Sequence, residues 1–295
     1  MIKMEQGKKY LSAYDEKYNS ALLSLFKSLI DILEQDGMQY WTCGGTTLGA
    51  VRHQGLIPWD DDIDIYMPRK DYDAFLELAE ERLPAGYGVV SLKDKGYYLP
   101  YAKFINTTTT LWEYVEYPFI IGVFIDIFPL DNANGRRQEI LFHKRSCLRN
   151  IDKFKLCINE KTAFQFLREG RYLTFLYKVL YSHKGKESKY LAKYDDIVKK
   201  YSIGSGRSAL CWSVAKGILF ERSWFDEYVT MPFNGLNVRV PKGYDEYLTC
   251  RYGDYMKLPP EDQRVSCHKR YYVNLEEGLT LEVVKERIKQ GEFKK

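Results

Sequence analysis

The first part of the chain alternates between helix-like and strand-like patterns of apolar residues. Over residues 15–36 apolar positions recur every three or four residues, which predicts an amphipathic helix that ends at Gly37. Residues 39–43 have the aromatic and β-branched composition of a short strand, and residues 63–67 alternate as a strand with one solvated face does. Helical spacing returns over residues 69–83. The pattern therefore predicts alternating helices and strands around one sheet.

The pattern changes twice further along the chain. Residues 120–128 form an apolar strand, whereas residues 136–200 are long, basic, aromatic-rich helical segments. Residues 234–235, Asn-Gly, predict a hairpin turn, and helices are expected from Pro241 and over 279–290. We expect an α+β fold with a mixed sheet flanked by helices. Its predicted parts are a catalytic core (1–135), a helical basic insert or subdomain (136–225) and a C-terminal part that completes the site (226–295).

Charge is distributed unevenly along the chain. The 295 residues carry 44 Lys and Arg against 40 Asp and Glu, a net charge of +4, which argues against a dedicated nucleic-acid binder. Residues 1–135 carry −8, however, and residues 136–200 carry +10. A carboxylate cluster and a basic face can therefore coexist, and the basic segment could rest on an anionic membrane surface.

The sequence also bears on location and on metal chemistry. No run of about 18 apolar residues occurs, and the first ten residues lack the apolar stretch of a signal peptide. We therefore expect a cytoplasmic protein that is at most peripheral at the inner face of the membrane. The six cysteines include no closely spaced pair, so they are expected to be free thiols and no zinc is expected.

Acidic residues are concentrated just before the 63–67 strand. Asp62 and Asp64 would point to one face of a strand, Asp60 would join them if the strand began early, and Asp61 would point to the surface. At ~4 Å and an effective dielectric of ~20, a pair of like charges costs roughly 4 kcal/mol, which a divalent cation removes. Oxygen ligands favour Mg²⁺ or Mn²⁺. The alternative is a solvated acidic loop.

Two further features complete this pattern. Asp126 interrupts the apolar 120–128 strand, so it is either a third metal ligand or base, or a structural aspartate held by a salt bridge. Gly44, Gly45 and Thr46 follow a strand and open a helix, where backbone amides and the positive helix end can approach a phosphate. This order of elements is suited to phosphoryl transfer from a nucleotide.

In these segments the chain resembles the LicD family of phosphotransferases, which includes the fukutin-related proteins and has the nucleotidyltransferase fold. The resemblance rests on GGTTLGAVRHQGLIPWDDDIDI (44–65), on DIFPLD (126–131), and on RYGDYMKLPP (251–260) with Arg264 and His268 behind it. It implies Mg²⁺-dependent transfer of phosphocholine from CDP-choline to a hydroxyl of a cell-surface glycan, such as a lipopolysaccharide or teichoic-acid precursor or a lipid-linked glycan. Transfer of ribitol phosphate or glycerol phosphate from the CDP-alcohol, or nucleotidyl transfer at the same site, remains an alternative.

The resemblance also implies roles for particular residues. Asp62 and Asp64 would bind the metal, with Asp126 as the third carboxylate, and Asp60 or Asp126 would act as general base. A catalytically inactive scaffold is disfavoured because every carboxylate of the motif is present. A glycosyltransferase with an Asp-x-Asp motif fits the glycine turn less well. Candidate contacts to the substrate phosphates, each weighed against an ordinary surface or salt-bridge role, are Arg52, Lys103, Arg264 and His268.

Overall fold

A mixed sheet forms the centre of the chain in the computed structural model. The structure describes residues 13–133, 135–183, 185–201, 208–211, 219–266, 268 and 270–292.

The described residues form nine helices and ten strands. The helices are α1 (Ala13–Gln35), α2 (Gly44–His53), α3 (Arg69–Arg82), α4 (Arg137–Ile158), α5 (Ala163–Arg168), α6 (Tyr172–Tyr181), α7 (Glu187–Tyr201), α8 (Tyr244–Tyr252) and α9 (Leu281–Lys289). The strands are β1 (Trp41–Thr42), β2 (Asp64–Pro68), β3 (Tyr87–Val90), β4 (Ala102–Trp112), β5 (Ile121–Ala133), β6 (Ser208–Leu210), β7 (Phe220–Glu221), β8 (Tyr228–Phe233), β9 (Leu236–Pro241) and β10 (Tyr272–Asn274).

Strand β5 lies at the middle of the main sheet. The strand order is β1-β2-β5-β4-β10, with β3 also paired to β4, and with β6 joining β5 to β7. Strands β2 and β5 run parallel, and the other paired strands are antiparallel. The predicted α+β class with a mixed sheet is confirmed. The apolar residues of β5 are buried on both faces, where they join two different core clusters.

The predicted helices pack on this sheet as their periodicity requires. The apolar stripe of α1, including Leu22, Phe26, Leu29 and Leu33, is fully buried in the main core against β4 and β5. Helix α3 buries Tyr72 and Phe75 in the same core. Both helices were predicted from the sequence, and no end differs from the prediction by more than two residues.

Strands β8 and β9 form a separate hairpin. Asn234 and Gly235 at its turn both have positive φ, 47° and 82°, as the Asn-Gly pair predicts. The helix predicted from Pro241 begins at Tyr244 instead, because Pro241 pairs with Tyr228 as the last residue of β9.

Helices α4 to α7 lie between β5 and β6 in the sequence. Helices α4 and α7 pack together around a small core that includes Ile140, Cys147 and Tyr194. The segment 136–225 also contains β6 and β7, and β6 extends the main sheet at the end of β5. Within the described ranges no helix is long and apolar enough to cross a membrane. Five cysteines are free thiols, and Cys267 lies outside the described residues.

Candidate active site

Four carboxylates converge where β2 meets β5. Asp64 begins β2 and stands opposite Asp126 in the parallel register of the two strands. Asp60 and Asp62 precede β2 in a loop, so strand alternation does not bring them here. The loop nevertheless brings both carboxylates close enough to Asp64 to interact with it electrostatically. We call Asp60, Asp62, Asp64 and Asp126 the acidic cluster.

The start of α2 is fixed to the backbone of Asp64. The Asp64 amide donates a hydrogen bond to Thr46 Oγ1 (2.8 Å), and the Cys43 amide donates to the Asp64 carbonyl (3.0 Å). A Cβ atom at Gly44 would lie 3.3 Å from Asp64 Oδ2, and one at Gly45 would clash with Asp60 Oδ2. The glycine pair therefore lets the positive end of α2 approach the acidic cluster closely.

The acidic cluster is poorly compensated by the residues around it. Asp64 Oδ1 is buried, and no hydrogen-bond partner for it lies among the described residues. Burial, together with the neighbouring carboxylate Asp62, raises the pKa of Asp60 to about 8. Burial and adjacent aspartates likewise raise the pKa of Asp62 and of Asp64 to about 7. Buried oxygens that repel one another and lack partners are suited to a divalent cation.

His268 joins the acidic loop from the C-terminal part of the chain. Its Nε2 lies 3.1 Å from Asp62 Oδ2, and its Nδ1 lies 2.8 Å from Asp61 Oδ1. One donor atom from each of Asp60, Asp62 and His268 lies within 4.8 Å of the other two, so they could share a metal ion. The structure thus places His268 beside the acidic loop, and its contact with substrate stays a prediction.

Asp61 supports this arrangement rather than facing solvent. The Asp61 side chain is only 21% exposed, and it pairs with Arg270 as well as with His268. Ser266 donates a further hydrogen bond to it, of 2.7 Å. These partners outweigh burial and lower the pKa of Asp61. The sequence expectation of a surface position was wrong because alternation does not apply in the loop.

Lys103 is held by carboxylates inside the protein. Its side chain is 1% exposed, and Nζ lies 2.7 Å from Asp126 Oδ1 and 3.5 Å from Glu113 Oε2. Strand β4 brings Lys103 opposite Asp126, while Tyr98 donates a hydrogen bond to Glu113 (3.1 Å). Burial alone would lower the pKa of Lys103, but Asp126 and Glu113 raise it on balance. The sequence left open whether Asp126 is a site residue or a structural aspartate in a salt bridge. In the structure it both forms the salt bridge and lies in the acidic cluster.

Arg52 and Arg264 each bind a backbone carbonyl of the 255–259 segment. Arg52 donates to the carbonyl of Tyr255 (2.6 Å), and Arg264 donates to that of Pro259 (2.8 Å). The Arg264 guanidinium also lies 5.5 Å from the centre of the Trp59 ring. In this structure both arginines hold the 255–264 segment close to α2 and Trp59. A contact with substrate phosphate stays a prediction for them.

Helix α8 supplies residues near the acidic cluster that the sequence analysis did not select. Tyr247 Oη accepts a hydrogen bond from the Gly44 amide (2.8 Å). Arg251 Nη2 and Tyr252 Oη lie 3.5 and 3.8 Å from the position that a Cβ of Gly44 would occupy, next to Asp64. Arg251 and Tyr252 are the first two residues of the RYGDYMKLPP segment. The resemblance of that segment to the family was the sequence feature that could have identified them as site residues.

Comparison with known proteins places the acidic cluster within a recognised domain. Residues 37–157 match the family model described as LicD/FKTN/FKRP, nucleotidyltransferase domain. This range includes α2, the acidic loop, β4 and β5. It therefore contains all four carboxylates of the cluster.

Individual relatives point the same way. The chain is 29% identical over 247 residues to the lipopolysaccharide cholinephosphotransferase LicD of Haemophilus influenzae, which covers 80% of this chain and 89% of that protein. It is 39% identical over 57 residues to the human ribitol 5-phosphate transferase FKRP, 18% of this chain and 12% of that protein. An uncharacterized protein of Rickettsia typhi, RT0683, is 39% identical over 74 residues, 25% of this chain and 24% of that protein.

These matches define a phosphotransferase that carries a nucleotidyltransferase domain. Residues 37–157 match the LicD/FKTN/FKRP family model, the family that the sequence motifs resemble. The names of these relatives support transfer of a phosphorylated alcohol as the general type of reaction.

Proposed function

We propose that the protein transfers phosphocholine from CDP-choline to a hydroxyl of a cell-surface glycan precursor, with Mg²⁺ or Mn²⁺ as the required ion. The alignment with the cholinephosphotransferase of Haemophilus influenzae, over 80% of this chain, supports choline as the alcohol. Asp64 Oδ1 is buried and has no hydrogen-bond partner within the described residues, which supports the need for a cation.

The donor set fits a hard divalent ion. Asp62, Asp64 and Asp126 would hold it through carboxylate oxygens, with Asp60 and His268 close by. Such an ion neutralises charge that develops on the diphosphate as CMP leaves.

The protein's own groups would orient the diphosphate. The α2 N-terminus at Gly44 and Gly45 presents a positive dipole beside the acidic cluster. Arg251, which lies at the same place, can form two hydrogen bonds with one phosphate and balances charge that the carboxylates would otherwise repel. Together they would hold the reacting phosphorus in line with the acceptor hydroxyl.

Asp60 is the better of the two candidate bases. Without an ion its pKa, raised to about 8, leaves Asp60 mostly protonated at neutral pH. The positive charge of a bound Mg²⁺ would lower that pKa, so that Asp60 would be ready to accept the proton of the acceptor hydroxyl. Asp126 accepts a hydrogen bond from Lys103, whose positive charge disfavours protonation. We therefore assign proton acceptance to Asp60, and charge neutralisation and ion binding to Asp126.

A donor panel tests this proposal. The protein would be incubated with Mg²⁺, a lipopolysaccharide or teichoic-acid precursor lacking phosphocholine, and CDP-choline, CDP-ribitol or CDP-glycerol in turn. We expect CMP release from CDP-choline and transfer of phosphate-linked choline to the glycan. Release from CDP-ribitol alone would favour the activity named for FKRP, which is similar over only 57 residues. Release of phosphocholine, with CMP attached to the glycan, would instead show nucleotidyl transfer.

A further inference from the structure

Helix α6 presents its apolar side outward. Eight of its ten residues, Tyr172–Tyr181, are apolar or aromatic, and none is buried. The exposed large side chains have relative exposures of 48–74% and are Tyr172, Leu173, Leu176, Tyr177, Val179 and Leu180. Since successive helical residues turn by about 100°, these six span a continuous arc of about 160°. We call them the apolar face of α6.

Hydrogen bonds fix this orientation. The one charged residue of α6, Lys178, points inward and donates to the carbonyls of Leu156 (2.5 Å) and Asn159 (2.9 Å) at the end of α4. Burial lowers the pKa of Lys178. A helix on a protein surface ordinarily buries its apolar side and exposes its charges. Here the polar contact to α4 holds the opposite arrangement.

The apolar face continues onto the neighbouring helix. Phe164 of α5 is 69% exposed, and its ring centre lies 6.2 Å from that of Phe175 in α6. Contiguous exposed apolar surface of this kind marks a site of contact with a partner or a membrane. In the part of the chain that the structure describes, the face is open to solvent.

Positive charge borders the same surface. An open groove between α4 and α7 is lined by Arg149, Lys153 and Lys193 among other residues. Lys153 Nζ lies 4.1 Å from the ring centre of Tyr181, the last residue of α6, so the groove adjoins the helix. Arg168 and Arg171 are exposed at the other end of α6. The helical segment as a whole, residues 136–200, carries +10.

We propose that α5 and α6 dock on a bilayer surface that contains anionic lipids. The apolar face enters the boundary between headgroups and acyl chains, and the basic residues at both ends of α6 contact the anionic headgroups. The combination favours this occupant over a second copy of the chain, because the border of the face is basic and would repel itself across a symmetric dimer interface. The proposal is independent of phosphotransfer.

Vesicle co-sedimentation of the full chain tests it. We expect binding to vesicles of phosphatidylcholine with about 30% phosphatidylglycerol, and binding at least roughly tenfold weaker to phosphatidylcholine alone. The combined variant Leu173→Gln, Leu176→Gln and Leu180→Gln should weaken binding by roughly tenfold or more. Glutamine has nearly the helix propensity of leucine, so the helix is kept. Circular dichroism would verify that the helix content is unchanged.

Two further variants test the apolar face and the basic residues separately. Val283→Gln alters an apolar residue of α9 that is 40% exposed, and it should leave vesicle binding unchanged. The pair Arg149→Gln and Lys193→Gln should weaken binding mainly at low salt.

Two results would overturn the proposal. The first is equal binding of the wild type and the triple leucine variant to anionic vesicles. The second is a wild-type dimer in light scattering that the triple leucine variant dissociates and that does not bind vesicles, because the face would then cover a second copy.

Discussion

The acidic cluster and the apolar face of α6 are arranged in opposite ways. The first places charged groups in the interior, where Asp64 Oδ1 is buried without a partner among the described residues. The second places Leu173 and its neighbours in water, with Lys178 turned inward. Each costs stability in the isolated chain, and each becomes favourable when a ligand of complementary chemistry arrives. The two regions therefore indicate two different ligands, a hard cation with a diphosphate and a lipid surface.

If the two regions serve separate ligands, substitutions in one should leave the other's function intact. Asp64→Asn should lower the rate of CMP release by roughly 10³-fold, because the neutral amide would hold the cation that balances transition-state charge less firmly than the carboxylate. Vesicle binding should not change. Measurement of both properties on the same preparation checks the separation. Asp31→Asn, at an exposed position in α1, is the matched control and should keep full activity.

Lys103→Met tests how much the buried ion pairs of Lys103 contribute to stability. It leaves Asp126 and Glu113 buried without their cation, so the free energy of unfolding in urea should fall by about 3–5 kcal/mol. Adding Glu113→Gln should restore part of that loss, because one uncompensated charge is removed. Equal stability of Lys103→Met and the wild type would mean that the buried ion pair does not constrain Asp126.

Arg251→Gln tests the contribution of α8. The guanidinium next to Gly44 and Asp64 should contact the donor diphosphate, so its loss should raise KM for CDP-choline by roughly 10- to 100-fold, with a smaller effect on kcat. Arg251→Lys should recover only part of the affinity, because lysine lacks the planar fork. A KM that is unchanged in both variants would remove Arg251 from the substrate site.

The smallest expected effect concerns pH. The pKa values of Asp60, about 8, and of Asp62 and Asp64, about 7, lie above those of an unfolded chain, so the folded metal-free protein binds protons that the unfolded chain does not. Its stability should therefore decrease as pH rises through 7 to 8. Mg²⁺ replaces these protons, so the increase in Tm that it causes should be a few degrees larger at about pH 8.5 than at about pH 6. Differential scanning calorimetry with and without Mg²⁺ measures this difference, and equal increases would contradict it.

The sequence predicted the elements of this fold better than their mutual contacts. Periodicity alone identified α1 and α3, because one face of each is apolar. The approach of Asp60 and Asp62 to Asp64 was predicted for the wrong reason, since β2 begins only at Asp64 and a loop supplies the other two. Local alternation cannot show where strand pairing starts, because pairing depends on a distant segment.

Contacts between distant segments account for what was missed. Lys103 meets Asp126 through the antiparallel register of β4 and β5, and Arg251 reaches Gly44 across about 200 residues of chain. The orientation of α6 was equally hidden, because a helix that is apolar nearly all round has no pattern that shows which side faces the protein. The hydrogen bonds of Lys178 decide it.

The pairing of strand β5 depends on Asp126 as well as on its apolar residues. Residues on both faces of β5 are buried and apolar, so hydrophobic alternation cannot exclude a pairing shifted by one residue. Two contacts exclude it. A side chain at the Gly122 position would overlap the Asn106 carbonyl oxygen, and a shift would take Asp126 away from Lys103 and bury both charges unpaired. Asp126 thereby helps the chain select one native pairing, so its replacement would affect the fidelity of folding as well as the chemistry.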